Sequence, residues 1–389
     1  MPGAYQRHAE IAGGGIAGLV AAAALAQRGW SVRVHERADH MRAYGAAIFA
    51  WYNLMRVMKA VGAYDEAVAG GSPFVVRESR DARNRVINTI RASTDPADRI
   101  YSVSRRQMIQ SLANAATRSG AEICVSSVGV AAEPNGVLVM EDGRRLSADL
   151  VIGADGVYSK VRDSLGLVRR RRPLRDGAIR VLIPRTEEER RSELGQKSIE
   201  YWSGKRRLFY SACSLDEVYL AFMLPVADRE GSAVPVNRET WIRSFPHLED
   251  AIRRVGEEAR WDRFEHVVLH RWSSGRVAIV GDAANAMSPN TGQGAGTAAM
   301  NALSLAVFVS EAPTVEEGLA RWEANERPLT EHTQMVAGIW GSFTTWPAML
   351  RTPILYYGAK SKWLMKHRQR AAHHVPTGAE AFAPKATRG

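Results

Sequence analysis

Cysteine is scarce in this chain, and its scarcity excludes a fold held together by disulfides. Only two of the 389 residues are cysteines, Cys124 and Cys213, and neither belongs to a C-x-x-C pair or a metal-binding spacing. Both lie in segments typical of strands, so we expect two buried free thiols in a reducing compartment, the cytoplasm. The ten histidines form no H-E-x-x-H or similar ligand spacing, and we predict no metal site.

The uncharged run near the beginning of the sequence is also too short to span a membrane. Residues 11–26 carry no charge, but they are fewer than the roughly 20 residues that a spanning helix needs, and four of them are glycines. No positively charged segment and cleavage site frame this run as a signal peptide. We therefore expect no membrane span here.

Acidic residues are outnumbered, with 41 Asp and Glu against 52 Lys and Arg, which gives a net charge of +11. Such an excess favours anionic partners without indicating nucleic acid. The most basic run, residues 169–172, is interpreted as a solvated connection between two domains, because no aromatic residues are interleaved with it. We expect no nucleic-acid partner.

The first positive signal is a glycine turn between a predicted strand, residues 9–12, and a helix. Gly13, Gly15 and Gly18 satisfy G-x-G-x-x-G. The first glycine permits a tight turn, the second lets the backbone approach a pyrophosphate, and the third lets helix pack on strand. Glu36 ends the next predicted strand, 18 residues beyond Gly18, where a carboxylate can bind a ribose. This stretch predicts a dinucleotide site.

Two later stretches carry related signals. Residues 149–152 predict a buried strand that ends near Asp155-Gly156, and the carboxyl end of a strand is where ligands lie in open α/β sheets. A further strand at residues 277–280 ends in Gly281-Asp282. The Gly- and Ala-rich loop 289–296 then leads into a long apolar helix, so its amides can approach a flat ligand closely. Between these two stretches, short alternating segments predict an antiparallel sheet with one face toward a cavity.

These three stretches, in this order, resemble the single-component FAD-dependent aromatic-ring monooxygenases, the family that includes salicylate and p-hydroxybenzoate hydroxylases. The resemblance covers residues 9–328. Within the family the chain is similar in particular to the oxygenase acting on 2-methyl-3-hydroxypyridine-5-carboxylate, in AEIAGGGIAGL, in GAAIFAWYN and in the segment from Arg207 through Tyr219 into LPVADREGS.

The resemblance implies an α/β fold in which a Rossmann-like FAD-binding domain of the glutathione-reductase type is interleaved with an antiparallel-sheet substrate domain and followed by a C-terminal helical segment. The implied boundaries are 1–75, 99–175 and 265–330 for the FAD-binding domain, 76–98 and 176–264 for the substrate domain, and 331–389 for the C-terminal helical segment and tail.

An activity is implied as well. With FAD as cofactor and NADH or NADPH as electron donor, the protein is expected to use O2 to hydroxylate an electron-rich aromatic or N-heteroaromatic small molecule, through a flavin C4a-hydroperoxide. The substrate is expected to be hydroxylated, with or without a carboxyl group, and the protein to be a monomer or homodimer. Opening of a pyridine ring and a reductase reaction on the same fold stay open as alternatives, as does flavin binding without turnover.

The resemblance assigns cofactor contacts by position. The predicted cofactor-binding residues are Gly13, Gly15, Ala17 and Gly18 at the pyrophosphate, Glu36, Arg37, Arg42 and Arg105 around the ribose and phosphates, Val128 at the adenine, Asp155 for FAD and the nicotinamide donor, Asp282 at the ribityl chain, and Gly292, Gly294, Ala295 and Gly296 at the flavin pyrimidine edge.

Three catalytic residues are implied on the substrate side. Pro289 is expected to line the space where oxygen reacts, Tyr219 to assist ionisation of a ring hydroxyl, and Arg207 to pair with a substrate carboxylate. The residues alone leave other interpretations open, because Tyr219 on an alternating strand is equally a core or rim residue, and Arg207 follows two other cations.

Departures from the family pattern predict an altered pocket. Asn285 stands where the family commonly has the histidine of G-D-A-A-H, and Phe49 and Arg77 stand where the pyridine-ring oxygenase has tyrosines.

The C-terminal part combines aromatic residues with a basic cluster. This combination is typical either of an interfacial membrane anchor or of a segment packed over the domain or across a dimer interface, and we favour packing. We expect Pro347 and Pro353 to break the segment, and both chain ends, residues 1–7 and those after about 373, to be loosely held.

Overall fold

The computed structural model describes residues 6–41, 46–93, 95, 98–192 and 194–384. Its strands are β1 (His8–Ala12), β2 (Ser31–His35), β3 (Ala47–Ala50), β4 (Ser72–Phe74), β5 (Val76–Asp81), β6 (Val86–Arg91), β7 (Ile100–Ser104), β8 (Glu122–Cys124), β9 (Gly129–Glu133), β10 (Val137–Met140), β11 (Arg145–Ser147), β12 (Leu150–Gly153), β13 (Val168–Pro184), β14 (Lys197–Ser203), β15 (Arg206–Ala212), β16 (Glu217–Pro225), β17 (Trp261–Leu269), β18 (Ser273–Ser274) and β19 (Val277–Ile279). Its α-helices are α1 (Ile16–Ala26), α2 (Tyr52–Ala60), α3 (Tyr64–Val68), α4 (Arg105–Arg118), α5 (Lys160–Ser164), α6 (Glu187–Arg191), α7 (Arg238–Ser244), α8 (Glu249–Arg253), α9 (Asp282–Asn285), α10 (Gly294–Glu311), α11 (Val315–Ser342), α12 (Ala348–Lys360), α13 (Lys362–Arg368) and α14 (Arg370–His373).

The predicted strand, glycine turn and helix at the start of the chain form the centre of a six-stranded sheet. Its strand order is β18-β19-β12-β1-β2-β8, and every pair except β18 with β19 is parallel. Helix α1 buries ten of its eleven residues, because it is apolar on all sides and lies beneath other elements. The carboxyl ends of β1, β12 and β19 therefore meet at one edge, as expected for an open α/β sheet.

A second, seven-stranded sheet has the order β17-β13-β16-β15-β14-β5-β6 and is antiparallel except where β14 pairs with β5. One side of this sheet packs on α7 and α8 through a core that contains Phe222, Trp241 and Ile252. The other side is free to line a cavity. The combination of a parallel and an antiparallel sheet confirms the predicted α/β fold class, whereas the residue boundaries of the domains stay a prediction.

The basic run at 169–172 is exposed, as expected, but it is not a connecting loop. It forms the first half of β13, a strand of 17 residues that pairs with β17 from Val168 to Ile179. The pairing register shifts between Pro173 and Gly177, where the strand passes from solvent into the core. Antiparallel backbone pairing with β17 holds these arginines in a strand, although their side chains are solvated.

Two expectations about the C-terminal part are wrong. Pro347 precedes α12, but Pro353 lies within that helix, where it is exposed and the carbonyl that it leaves unpaired can be hydrated. Residues 374–384 are not loosely held either, because Ala379 is buried and Gly378 lies against Val307 of α10 so closely that a Cβ would be 2.8 Å from it. Residues 385–389, to which the same expectation applied, lie outside the described ranges.

The N-terminal expectation also fails at its last residue, because Arg7 donates a hydrogen bond to the carbonyl of Val309 at 2.8 Å. Of the two free cysteines, Cys213 is buried as predicted, but Cys124 is partly exposed at the edge strand β8. No helix within the described ranges combines the length and the apolar character needed to cross a membrane.

A charged network lies inside the parallel sheet below the glycine turn. The Glu10 carboxylate, only 2 % exposed, is 2.7 Å from His35 Nε2, 3.0 Å from His8 Nε2 and 3.2 Å from Arg33 Nη1. Burial alone would raise the pKa of Glu10, but hydrogen bonds to His35 and His8, together with their charges, outweigh burial and lower that pKa to about 2. The buried carboxylate is thus kept ionised by its partners.

We expect this network to make the free energy of unfolding depend on pH in the acidic range. The pKa of Glu10 is about 2 in the folded protein against 4.5 for the free group, so its contribution is fully present above pH 4.5 and is lost as the pH falls toward 2. Glu10→Gln should lower the free energy of unfolding near pH 7 by roughly 1–3 kcal/mol and flatten its dependence on pH in that window. Urea unfolding at a series of pH values measures both effects.

Glu122→Gln is the matched control, because Glu122 pairs with the same Arg33 but its side chain is 63 % exposed. Its substitution should change stability by less than about 1 kcal/mol. Equal losses of unfolding free energy in the two variants would show that the buried contacts of Glu10 stabilise the protein no more than the exposed ion pair of Glu122.

Candidate active site

The three motif stretches meet at the carboxyl edge of the parallel sheet, where backbone packs on backbone. Gly13 has φ +110°, and a Cβ there would lie 2.4 Å from the carbonyl oxygen of Ala154. A Cβ on Gly18 would lie 2.0 Å from the carbonyl oxygen of Gly13. Ala17 stands next to Gly281, whose added Cβ would be 3.0 Å from the Ala17 methyl. Glycine is required at Gly13 and Gly18 because no side chain fits.

Other glycines of the motifs face open space. Apart from their neighbours along the chain, no atom of the described residues lies within 4 Å of a Cβ built on Gly15 or on Gly294. Gly15 precedes α1 and Gly294 begins α10, and neither helix has a side chain that caps its N-terminus. Two sets of free backbone N–H groups with positive potential thus border room for a ligand, which is what the pyrophosphate and the flavin edge of FAD require. The residues present therefore fit the cofactor.

The Glu36 carboxylate accepts hydrogen bonds from the backbone N–H groups of Gly14 and Ala38, both at 3.0 Å, which hold it at the end of β2 beside the glycine turn. Arg37 is exposed. Val128 lies just before β9, and its carbonyl accepts from Glu141 N at 2.8 Å, so its own N–H is the group left to consider for an adenine. Arg42 lies outside the described residues.

Asp155 and Asp282 follow the carboxyl ends of β12 and β19, the two strands next to β1 on one side of the sheet. One oxygen of Asp155 accepts from Val161 N at 3.2 Å, while the other is buried and has no hydrogen-bond partner among the residues that the structure describes. Burial raises the pKa of Asp155, and a hydrogen bond with Ser159 offsets part of that rise. Asp282 is exposed at the first position of α9. An orphaned carboxylate oxygen at this edge is a second sign that a ligand belongs here.

Arg105 begins α4 next to Ser104, whose hydroxyl caps that helix by accepting a hydrogen bond from Gln107 N. Burial lowers the pKa of Arg105, and the negative charge of Asp282 counteracts it. The positive charge of Arg105 also acts on Tyr219. Arg105 is therefore close to both the cofactor side and the substrate side of the site.

The loop before α10 is shaped by α2. Gly292 has φ +64°, and a Cβ there would lie 3.0 Å from Trp51 Nε1, while a Cβ on Gly296 would lie 2.7 Å from the Asn53 amide. Ala295 packs at the edge of the main core. Trp51 Nε1 is buried without a hydrogen-bond partner, and so is the hydroxyl of Thr291 in the same loop.

A cavity of about 110 Å³ opens between this loop and the free face of the antiparallel sheet. Pro289, Asn290 and Gly292 form the loop side. The opposite walls are mainly apolar and aromatic, and they consist of Phe49, Trp51, Ala178, Phe209, Tyr219, Ala221, Met223 and Phe264, with Arg77, Arg180, Glu200 and Arg207 as the charged members. All three predicted catalytic residues, Arg207, Tyr219 and Pro289, line this one cavity.

The predicted carboxylate-binding arginine is already paired. Arg207 Nη1 donates to Glu200 at 3.2 Å and to the Asn290 side-chain oxygen at 2.7 Å, and Arg207 is buried. Arg77 Nη2 reaches the other oxygen of Glu200 at 3.4 Å. Glu200 thus joins Arg207, the cation that was expected to hold a substrate carboxylate, to Arg77. Arg180, the remaining charged residue of the cavity wall, donates a hydrogen bond to the Asp262 carboxylate at 2.9 Å.

Tyr219 is buried in the wall of the cavity, next to Phe209 at 5.9 Å between ring centres. Burial raises the pKa of the Tyr219 phenol, and the charges of Arg180 and Arg105 offset only part of that rise. Near neutral pH the phenol therefore keeps its proton. Phe49, one of the departures from the family pattern, makes edge-on contacts with Phe209 and Phe74.

Sequence reasoning missed Glu200 and Asn290, which hold Arg207. A signal for Glu200 was present, because it is the only acid in the otherwise apolar segment SIEYW. Asn290 directly follows Pro289, but nothing in the sequence indicated that the loop reaches across to β15. Asn285 is buried, and its side-chain nitrogen has no hydrogen-bond partner, so the position of the family's histidine is filled by an unsatisfied amide.

Comparison with known proteins agrees with this geometry. Residues 7–334 match the model of the FAD binding domain family. The chain is 38 % identical over 371 residues to a putative 2-heptyl-3-hydroxy-4(1H)-quinolone synthase of Rhodococcus erythropolis, covering 95 % of this chain and 97 % of that one. It is also 38 % identical over 353 residues to the 2-heptyl-3-hydroxy-4(1H)-quinolone synthase of Mycobacteroides abscessus, covering 90 % of this chain and 93 % of that one.

Among solved structures, the tetrameric form of 2-methyl-3-hydroxypyridine-5-carboxylic acid oxygenase superposes with a TM-score of 0.86 at 37 % identity, covering 96 % of this chain and 98 % of that one. The chain belongs to the FAD binding domain family and, within it, to the FAD-dependent aromatic monooxygenases, which confirms the resemblance seen in the sequence.

Two glycine substitutions distinguish a position where the folded protein itself leaves no space for a side chain from a position where only bound FAD would compete for that space. Gly15→Ala should leave the melting temperature of the flavin-free protein unchanged, because the backbone there (φ −80°) suits alanine and, among the described residues, only its chain neighbours are near. It should weaken FAD binding about tenfold or more, since the methyl group enters the space assigned to the pyrophosphate. Titration of flavin-free protein with FAD measures this.

Gly18→Ala serves as the contrast. Its methyl group would collide with the Gly13 carbonyl, so the flavin-free protein itself should lose roughly 1–3 kcal/mol of stability or more. Unchanged FAD affinity in Gly15→Ala would contradict the placement of the pyrophosphate at this turn.

Proposed function

We propose that this protein is an NAD(P)H-dependent FAD monooxygenase that hydroxylates a neutral N-heteroaromatic ring, with a 2-alkyl-4(1H)-quinolone as the favoured substrate class. The observation that carries the choice is the pairing of Glu200 with both Arg207 and Arg77 in the cavity wall. A substrate carboxylate would have to displace Glu200 or be placed beside it, and both are unfavourable in a partly buried site.

The composition of the cavity supports the same choice. Phe49, Phe209, Phe264 and Met223 provide apolar and aromatic surface that suits a flat ring bearing an alkyl chain. The two relatives that are named for a heptyl quinolone product match over nearly their whole length. The competing candidate is a carboxylated hydroxypyridine, which is favoured by the likeness to the pyridine-ring oxygenase and by the arginines themselves.

The overall reaction balances as substrate C–H, O2, NAD(P)H and a proton giving substrate C–OH, NAD(P)⁺ and water. Bound FAD would supply hydride acceptance and oxygen activation, with Gly13, Gly15, Gly18, Glu36, Asp155, Asp282 and residues 292–296 as the groups that hold it. The chain itself must place the ring carbon toward the loop that begins at Pro289 and keep water from that space. In a 4(1H)-quinolone the ring nitrogen makes C3 electron-rich, so no ring hydroxyl is needed for attack.

Tyr219 is the polar group suited to orient such a ring. Its phenol remains protonated, so it acts as a hydrogen-bond partner for the ring N–H or carbonyl and does not serve as a free base. Tyr219→Phe should lower kcat/KM by about 10–100-fold while FAD content stays normal. Steady-state kinetics with flavin absorbance measure both.

Tyr201→Phe is the matched control, because the Tyr201 hydroxyl is buried in the core on the far side of the sheet and has no partner. It should retain full activity. If Tyr219→Phe were as active as Tyr201→Phe, Tyr219 would be a packing residue only.

The test of the proposed function is a substrate panel assayed with the purified flavoprotein. Oxidation of NADH and of NADPH under air should be stimulated most by 2-alkyl-4(1H)-quinolones, and less by 2-methyl-3-hydroxypyridine-5-carboxylate and hydroxybenzoates. Product formed under ¹⁸O2 should carry the label at one new hydroxyl group, with peroxide assayed alongside. Stimulation by the carboxylate alone would support the competing candidate, and oxygen-independent turnover would support a reductase.

Removing the charge of Glu200 should change this preference. Glu200→Gln removes the carboxylate shared by Arg77 and Arg207 and leaves Arg207 with Asp176 at 3.9 Å, so 2-methyl-3-hydroxypyridine-5-carboxylate should bind about tenfold tighter, while its neutral amide should not. Quenching of flavin fluorescence measures both dissociation constants. Glu78→Gln is the control, because Glu78 is a buried carboxylate on β5 paired with Arg80 and Lys197. An equal gain for acid and amide would contradict the proposed role.

A further inference from the structure

One face of the C-terminal helices packs against the rest of the protein, and the opposite face is exposed to solvent. On α12 the inner face consists of Arg351, Leu355 and Gly358, which are buried at a spacing of four and three residues. Arg351 donates to the carbonyl of Gly204 at 2.9 Å, and the Leu355 carbonyl accepts from Asn88 at 3.1 Å. These contacts fix the helix on the antiparallel sheet and therefore fix which face points outward.

The outer face of α12 is apolar. Met349 is 80 % exposed, Leu350 56 %, Tyr356 40 % and Tyr357 68 %. Their positions are one, six, seven and eight residues apart, and exposed Pro353 lies between them on the same side of the helix, so they form a stripe opposite the buried face. A surface helix normally shows the reverse arrangement, with its apolar stripe buried.

The stripe ends in cations. Lys360 Nζ lies 3.9 Å from the centre of the Tyr356 ring. The next helix, α13, continues with exposed Lys362 and Lys366 on either side of Trp363, which is 68 % exposed. Residues 332–379 contain six Lys and Arg and no Asp or Glu. Of these six, Arg351 is buried on the inner face, whereas Lys360, Lys362, Lys366 and Arg370 are exposed. The exposed surface therefore combines apolar side chains with positive charge.

We propose that the outer face of α12 and α13 docks on an anionic phospholipid surface. Exposed Tyr and Trp side chains among apolar residues suit the boundary between headgroups and acyl chains, and the lysines suit anionic headgroups. A second copy of this chain that met this face with the same face would bring the lysines of both copies together without carboxylates from residues 332–379 to pair them, so the charge favours an anionic lipid surface as the occupant. This inference does not depend on which ring the enzyme hydroxylates.

The test is flotation of the FAD-loaded full-length protein with vesicles. Binding is expected to vesicles made of equal parts phosphatidylcholine and phosphatidylglycerol, not to phosphatidylcholine alone, and to weaken with added salt. The triple variant Lys360→Gln, Lys362→Gln and Lys366→Gln should lower the partition coefficient about a hundredfold. The triple variant Met349→Ser, Tyr357→Ser and Trp363→Ser should lower it about tenfold or more.

Matched control substitutions lie elsewhere on the surface. Leu215→Ser removes a side chain that is 70 % exposed, and Arg83→Gln with Arg229→Gln removes exposed positive charge. These should leave binding unchanged, and flavin content with melting temperature verifies that every variant is folded. Absence of binding to the anionic vesicles would overturn the proposal. Light scattering that shows a dimer dissociating in the Met349, Tyr357 and Trp363 variant, without vesicle binding, would overturn it in favour of a second copy.

Discussion

The close approach of backbone to backbone at the first glycine turn is the constraint on which the site depends. Gly13 touches the Ala154 carbonyl and Gly18 touches the Gly13 carbonyl at distances that admit no side chain. Because of these contacts, β1, β12 and the first turn of α1 reach a common edge, and Ala17 brings the loop before Asp282 to the same place. A single methyl group at either glycine would separate the three stretches that together form the cofactor side.

The substrate side is governed by charge balance instead. Arg207, Arg77, Arg351 and Arg368 gather around Glu200, and Arg207 and Arg351 lie over the Trp202 ring at 5.0 and 4.5 Å. Burial and the nearby Arg77 lower the pKa of Arg368 to about 9, with Glu200 acting in the opposite direction. Glu200 is the carboxylate that these arginines share, and Asp176 lies 3.9 Å from Arg207 as a second acid. We infer that carboxylates already in place beside the arginines favour a neutral ligand over a carboxylated one.

The sequence could predict the fold more fully than the cavity, and the reason is physical. Gly13, Gly15 and Gly18 act over a few neighbouring residues, so a local pattern reveals the turn, the helix and the strands around it. The link from Asn290 to Arg207 joins residues that are 83 positions apart, and no local pattern encodes it. Pro353 was misjudged for a similar reason, since helix α12 is held by contacts of Arg351 and Leu355 with distant strands.

The two sides of the site also differ in what they are made of. The groups assigned to FAD are largely main-chain amides at Gly15, Gly294 and their neighbours, which any side-chain replacement elsewhere leaves in place. The cavity wall consists of side chains on β15, β16 and the strands beside them, each of which a single codon can alter. In a family built in this way the substrate can change while the cofactor stays the same. Family membership is therefore easier to infer from the sequence of such a chain than the identity of its substrate.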